Sequence, residues 1–284
     1  MKHFTIFLKD EFPGLDTEQD PKLVGYIPDN TPEVDAERRR PAVLICPGGA
    51  YLGCSAREAE PIALDYTARG FAAFVLFYSV SPMRYPRSLR EAGAAMSLIR
   101  RRAAEWTVDP DRIAVAGFSA GGHLAASLGT KWHEKELFAD LNLTYEEPRP
   151  NAMILSYPVV AGDELDGHPF SIACLVGEEN ITPDVLREQD LPAHVSDKTP
   201  PAFIWHTEED SVVPVTGSLR FATQMHRAGV SFALHVFPHG SHGLANCNTS
   251  TCKKDNLPSL QADCESWIGM SIQWLLNVFA DGQL

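Results

Sequence analysis

Ile113-Ala114-Val115-Ala116-Gly117-Phe118-Ser119-Ala120-Gly121-Gly122-His123 decides the reading of this chain. An apolar, β-branched run ends in Gly-x-Ser-x-Gly and passes at once into a run of small residues, Ala120 to Leu128. Strand, sharp turn and helix follow without a spacer. In that context a serine stands on a strained turn above the end of a sheet. Gly117 and Gly121 flank it because side chains there would collide across the turn. The following helix aims its unpaired first N–H groups at the serine. Ser119 is therefore the candidate nucleophile.

Outward from this stretch, strands and helices alternate. Residues 3–9 and 22–27 read as short strands joined by a turn at Pro13-Gly14. Residues 28–41 are a polar loop in which Arg38-Arg39-Arg40 read as solvated. Ala42 to Cys46 and Ala72 to Phe77 are continuous apolar runs, as expected for a sheet covered on both faces. Asn151 to Tyr157, Ala202 to His206 and Ser231 to Phe237 are the later strands. Helices are expected over 55–69, capped by Gly70, and over 86–105, 120–132, 215–228 and 259–280. In 86–105, Leu89, Ala92, Met96, Ile99 and Ala103 mark the buried stripe, and Arg87, Arg90, Arg100 and Arg101 read as solvated surface. In the last helix Trp267, Met270, Trp274 and Val278 share one side. Such alternation gives a mostly parallel sheet of about eight strands with helices on both faces. The chain reads as one α/β domain, residues 1–284. Between residues 158 and 200 the pattern breaks into glycines, prolines and short helices such as 183–188, and the segment reads as a small cap over the site.

In an open parallel sheet, functional groups gather at the C-terminal ends of strands. Four loops leave such ends with polar residues or glycines: Gly48 to Tyr51, Ser119, Glu208 to Asp210, and His239 to His242. A serine hydroxyl needs a base that works near neutral pH, which imidazole supplies. That base needs a carboxylate to fix its tautomer. Ser119, Asp210 and His242 meet these needs. His242 lies deeper in its glycine-rich turn than His239, which reads as a loop histidine. Asp210 is a short carboxylate three residues before Val213-Pro214, while Glu208 and Glu209 read as solvated or bonded to local backbone. A tetrahedral oxyanion needs preorganised donors, and the N–H groups of Gly49, Ala50 and Ala120 are the candidates. His123, one turn into its helix, reads as packed or locally bonded. Tyr51, Tyr78 and Tyr157 are candidates for stacking on a substrate ring, with core packing as the alternative role.

Bulk properties remove other classes. The net charge of −13 argues against a nucleic-acid or anionic-membrane partner. No run approaches the ~18 apolar residues of a membrane span, and Met1 to Asp10 is too short and charged for a signal peptide, so the expected location is cytoplasmic. Six cysteines scattered over 284 residues are not a disulfide framework. Only Cys247 and Cys252 are close enough in a polar loop to suggest a local bridge. His239, His242, Cys247 and Cys252 lack the paired spacing of zinc sites, and no metal or organic cofactor is implied.

Pro47-Gly48-Gly49-Ala50-Tyr51, Asp109-Pro110-Asp111-Arg112-Ile113, the Gly117–Leu124 block, Asp210-Ser211-Val212-Val213-Pro214 and Phe237-Pro238-His239-Gly240-Ser241-His242-Gly243 together resemble the α/β-hydrolase superfamily. The order Ser119, Asp210, His242 is the order of that fold. Within it, the chain is similar to the esterase/lipase branch that holds hormone-sensitive-lipase-like esterases and bacterial acetylxylan- and feruloyl-esterase-like proteins. The first of these carry His-Gly-Gly-Gly in the oxyanion loop. Here Pro47 stands in the histidine position and Ala50 in that of the third glycine, so the resemblance leans toward the carbohydrate-esterase-like members. It implies a serine carboxylesterase acting on small esters, such as acetyl groups on xylo-oligosaccharides, with Tyr51 lining the pocket. The same residues would serve a feruloyl esterase, an arylformamidase or a small amide hydrolase. A hydrolase-fold binding protein without catalysis is the alternative of a different class. The sequence does not set the oligomeric state.

Overall fold

The computed structural model describes residues 1–15, 18–254 and 260–281. The strands are β1 (Lys2–Phe7), β2 (Lys22–Ile27), β3 (Arg40–Cys46), β4 (Ala72–Phe77), β5 (Val108–Phe118), β6 (Ala152–Ser156), β7 (Ala202–Thr207) and β8 (Phe232–Phe237). They form one sheet in the order β1-β2-β4-β3-β5-β6-β7-β8. β1 pairs with β2, and β2 with β4, antiparallel; every pairing from β4 across to β8 is parallel. The strand bearing the serine therefore lies near the centre, between β3 and β6.

Nine α-helices are seen among the described residues: α1 (Leu8–Glu11), α2 (Glu60–Ala68), α3 (Arg87–Arg101), α4 (Ala120–Lys131), α5 (Pro169–Val176), α6 (Pro183–Glu188), α7 (Val215–Arg227), α8 (Ala262–Glu265) and α9 (Trp267–Asp281). Because parallel strands are joined by crossover helices, both sheet faces are covered. Leu44, Val115 and Ile204 point into a core with Met96 and Ile99 of α3, Leu124 of α4 and Phe221 of α7. Val43, Ile45, Ala116 and Trp205 point the other way, onto Ile62 and Tyr66 of α2 and Trp267 and Leu275 of α9. Trp205 stacks on Trp267 with ring centroids 5.0 Å apart. No helix among the described residues is long and apolar enough to cross a membrane.

Several expectations change. The helix expected over 55–69 breaks at Ala59 (φ −108°, ψ −105°) into one 3₁₀ turn, Ala56–Glu58, and α2. Pro61 suits the first turn of a new helix, where its missing N–H costs nothing. The arginines are not merely solvated. Arg90 grips the Asp140 carboxylate and the Gly14 carbonyl, Arg101 pairs with Glu147, and Arg100 donates to the carbonyls of Pro110 and Arg149. Arg40 is buried in β3 and bonds the carbonyls of Pro28 and Asp29. Guanidinium donors of this reach close loops by capturing backbone oxygens, which apolar periodicity does not report. In α9 the fully buried line is Trp267, Ser271, Leu275 and Phe279, while Met270, Trp274 and Val278 are half-buried at its flank. Ser259, the first residue of that expected helix, lies outside the described residues.

Segment 158–200 contains α5 and α6, the latter where the sequence placed it. It starts at the site, with Val159 N–H donating to the Ser119 carbonyl (3.0 Å). It is tied to α7 by Arg220, which donates to Asp166 (3.0 Å) and Asp190 (3.1 Å).

Candidate active site

Ser119 sits between β5 and α4 at φ 53°, ψ −119°. A non-glycine residue there costs on the order of 1–3 kcal/mol, which the surroundings must hold. They do so through its backbone: N–H donates to the Ser156 carbonyl (3.0 Å), and its carbonyl accepts from His123 (3.1 Å) and Val159 (3.0 Å). A Cβ on Gly117 would fall 2.1 Å from the Gly121 carbonyl oxygen, and one on Gly121 would fall 2.1 Å from that of Cys46. Bare glycine at both positions lets α4 start against the ends of β5 and β3.

His242 reaches this serine from the loop after β8. Its Nε2 lies 2.7 Å from Ser119 Oγ and its Nδ1 lies 2.6 Å from Asp210 Oδ2. Asp210, after β7, is buried. Its Oδ1 accepts from the N–H groups of Val212 (3.0 Å) and Val213 (2.9 Å), and its Oδ2 also meets His206 Nε2 (3.2 Å). Burial alone would push its pKa up. The hydrogen bonds from His206 and His242, the His242 charge and the Val213 N–H overcome that and hold it well below the usual carboxylate range. His239 stands apart. Its side chain is 62% exposed against 16% for His242, and its Nδ1 bonds Glu209 (2.9 Å). Glu209 also accepts the Gly240 N–H (3.1 Å), so it braces the turn.

The loop after β3 lies against the serine: a Cβ on Gly48 would come 3.0 Å from Ser119 Cβ. Gly49, Ala50 and Tyr51 follow at φ 135°, 55° and 56°. Consecutive backbone N–H groups in a turn can line a concavity suited to an anion. Among the described residues the Gly49 and Ala50 N–H groups donate to no protein acceptor. Ala120 is the first residue of α4, so its N–H has no partner inside the helix.

The three tyrosines do not present a stacking face, and that expectation is corrected. Tyr51, Tyr78 and Tyr157 are 2%, 4% and 2% exposed. Each hydroxyl is used inside the protein: Tyr51 with His123 Nδ1 (2.9 Å), Tyr78 donating to the Pro47 carbonyl (2.6 Å), and Tyr157 donating to Glu58 Oε1 (2.7 Å). They are packing that shapes the loops around Ser119. Cys247 carries a free, buried thiol, so the local bridge to Cys252 is absent. Among the described residues no three His, Cys, Asp or Glu side chains are grouped to hold a metal.

Two residues around the site, His206 and Glu58, carry more than the sequence shows. His206 lies near the end of β7, where its imidazole backs Asp210 and its Nδ1 meets Ser218 (2.9 Å). Glu58 is a buried carboxylate behind the Gly48 loop, bonded to the Gly48 N–H (2.8 Å). His123 is buried as expected, and burial with the charge of Lys131 lowers its pKa to about 3. A carboxylate inside a segment read as helix, three residues after Ser55, was the one available signal for Glu58.

A family model described as BD-FAE matches residues 30–225. Over 216 residues, 74% of this chain, the chain is 38% identical to endo-1,4-beta-xylanase B of Butyrivibrio fibrisolvens, covering 33% of that protein. It is 28% identical over 246 residues, 85% of this chain, to an acetylxylan esterase of Xylanibacter ruminicola, covering 46% of it. The chain thus spans a third to about half of these relatives' lengths. A solved structure, an acetyl ester-xyloside bifunctional hydrolase from Caldicellulosiruptor lactoaceticus, superposes with a TM-score of 0.82 at 35% identity, covering 97% of this chain and 96% of that one.

Proposed function

Since this chain belongs to the BD-FAE family of α/β-hydrolase esterases, we propose that it is a serine carboxylesterase in which Ser119, His242 and Asp210 carry the reaction. The observation behind this is the unbroken chain from Ser119 Oγ through His242 to Asp210, at 2.7 and 2.6 Å. Ser119 Oγ attacks the ester carbonyl carbon as His242 Nε2 takes its proton. Asp210 holds the Nδ1–H tautomer and faces the imidazolium that forms. The N–H groups of Gly49, Ala50 and Ala120 receive the oxyanion, and losing one such donor typically costs ~10²–10³ in rate. Collapse expels the alcohol, protonated by His242. Water, activated by the same imidazole, then cleaves the acyl-enzyme.

The substrate class is a small ester, with acetyl groups on xylo-oligosaccharides as the leading case. Support comes from the relatives described as acetylxylan esterase and acetyl ester-xyloside hydrolase. Segment 158–200 serves as a small cap on the alcohol side. His168, at the start of α5, lies within electrostatic reach of both His242 and Asp210, and the exposed ring of Phe170 stands beside it with centroids 6.1 Å apart. With the tyrosines buried, Phe170 offers an exposed aromatic ring next to His168. The test is a panel of p-nitrophenyl esters, acetylated xylo-oligosaccharides, a feruloyl ester and N-formylkynurenine, run with wild type and Ser119→Ala. Acetate release from the sugars, abolished in the variant, is expected. Turnover retained by Ser119→Ala would end the mechanism, and turnover confined to N-formylkynurenine would end the ester assignment.

A further inference from the structure

Three of the loops that build the site converge on Glu58. Its Oε2 accepts the N–H of Gly48 (2.8 Å), one residue before the proposed oxyanion donors. Its Oε1 accepts the hydroxyl of Tyr157 (2.7 Å), at the end of β6. Tyr157 in turn accepts the N–H of Ala245 (2.9 Å), three residues after His242. The Tyr157 ring also meets the His242 ring edge-on, with centroids 5.1 Å apart at 74°.

The Tyr157 hydroxyl accepts the Ala245 N–H and donates to Glu58 Oε1. Both carboxyl oxygens serve as acceptors, one for Tyr157 and one for Gly48. Burial raises the carboxyl's pKa and outweighs the opposing Tyr157 and Gly48 donors and the charges of His242 and Arg57. A buried carboxyl group is costly, and well-packed apolar side chains would fill the space at less cost. What an apolar group could not do is hold the loops after β3, β6 and β8 at fixed angles to one another. Backbone strain is concentrated in these loops: Ala50, Tyr51, Tyr157 and Ala245 all have positive φ.

We propose that Glu58 is a positioning residue of the reaction. Through Gly48 it sets the angle at which the Gly49 and Ala50 N–H groups meet the oxyanion, and through Tyr157 it fixes the wall against which His242 is held. This rests on the serine-esterase reading. Errors in donor angle are felt in the transition state and not in the bound ester, so the effect belongs in kcat rather than KM.

The experiment uses Glu58→Gln and Tyr157→Phe, with p-nitrophenyl acetate kinetics and titration of reactive serine by an organophosphonate. Glutamine has the same shape, but one of its two heads is a donor facing a donor. The expected result is a 10- to 100-fold lower kcat per titrated site in Glu58→Gln, with KM within threefold of wild type. Tyr157→Phe keeps the Gly48 bond, loses the Ala245 link, and should fall 3- to 10-fold. A smaller titratable fraction with normal kcat per site would mean a purely structural role and overturn the proposal. If Glu58→Gln does not fold, Tyr157→Phe decides by the same criterion. A wild-type protein that takes up no phosphonate at Ser119 would refute the esterase reading, whereas stoichiometric labelling with unaltered turnover in both variants refutes the role of Glu58 alone.

Discussion

Replacing His123 by Asn should flatten the acid side of the stability curve. The ring is buried beneath Tyr51, with Nδ1 2.9 Å from the tyrosine hydroxyl and Nε2 3.4 Å from the Gln189 carbonyl. Burial, and then the charge of Lys131, lowers its pKa to about 3, against ~6.5 in an unfolded chain. Between these values the unfolded state binds a proton that the folded state refuses. Stability is therefore full above the unfolded value and is lost as the pH falls toward the folded one. At 1.36 kcal/mol per pH unit, wild type should lose about 2.7 kcal/mol from this group between pH 7.5 and 4.5. Asn offers an oxygen near the Nδ1 position and does not titrate. It should cost about 1–3 kcal/mol at pH 8 through lost contacts, and then recover that difference as the pH falls. Urea unfolding followed by tryptophan fluorescence at half-unit steps gives both curves. Glu91, buried on α3, titrates in the same window with the opposite sign, because burial raises its pKa to about 7. It is common to both proteins and cancels in the difference. Parallel curves from pH 7.5 to 4.5, with equal m-values, would refute the burial of a neutral imidazole here.

Other outcomes are equally specific. His242→Ala should lose about 10⁴–10⁶ in kcat on p-nitrophenyl acetate, while His239→Ala, removing only an exposed contact with Glu209, should stay within a few-fold; the reverse order would undo the assignment of the base. Gly121→Ala should lower stability by about 3 kcal/mol, since its Cβ would fall 2.1 Å from the Cys46 carbonyl oxygen; an unchanged melting curve would contradict the close approach of α4 and β3. Acetyl and propionyl p-nitrophenyl esters should give higher kcat/KM than octanoyl ones, because the proposed cap, segment 158–200, supplies only short helices; a rise with chain length would refute the small acyl pocket.

What the sequence made legible follows from range. The elbow around Ser119 is local: strand, glycines and small-residue helix are adjacent in the chain, and their steric logic needs no tertiary information. Asp210 and His242 were reachable because parallel topology brings the C-terminal ends of strands to one edge. The roles of Tyr51, Tyr78 and Tyr157 were not legible. An aromatic in a loop next to a site looks alike in sequence whether its ring faces solvent or its hydroxyl is spent on a carbonyl, as that of Tyr78 is on Pro47. Glu58 and His206 were missed for a related reason. Each is a polar residue whose partner lies far along the chain or belongs to a loop, and periodicity carries no record of such a partner. The contacts of the α3 arginines were not legible because guanidinium reach lets a residue off the apolar stripe still capture a loop carbonyl.

The two histidines on Asp210 bear on how the proposed base works. Asp210 Oδ2 is shared between His206 Nε2 (3.2 Å) and His242 Nδ1 (2.6 Å), while Oδ1 takes two backbone N–H groups. His206 Nε2 also lies 3.0 Å from the Val213 carbonyl, and Ser218 holds its other nitrogen. This imidazole is therefore fixed on both sides and cannot follow His242. The carboxylate it supports is oriented before any substrate arrives and remains so whichever proton His242 carries. When Ser119 gives up its proton, the new imidazolium meets a negative charge already in place. No group then has to reorganise at the moment of reaction, which is the condition under which fixed charges lower a barrier most. Three donors besides His242 fix the carboxylate, so loosening His206 should reduce turnover through Asp210 without any contact with the ester.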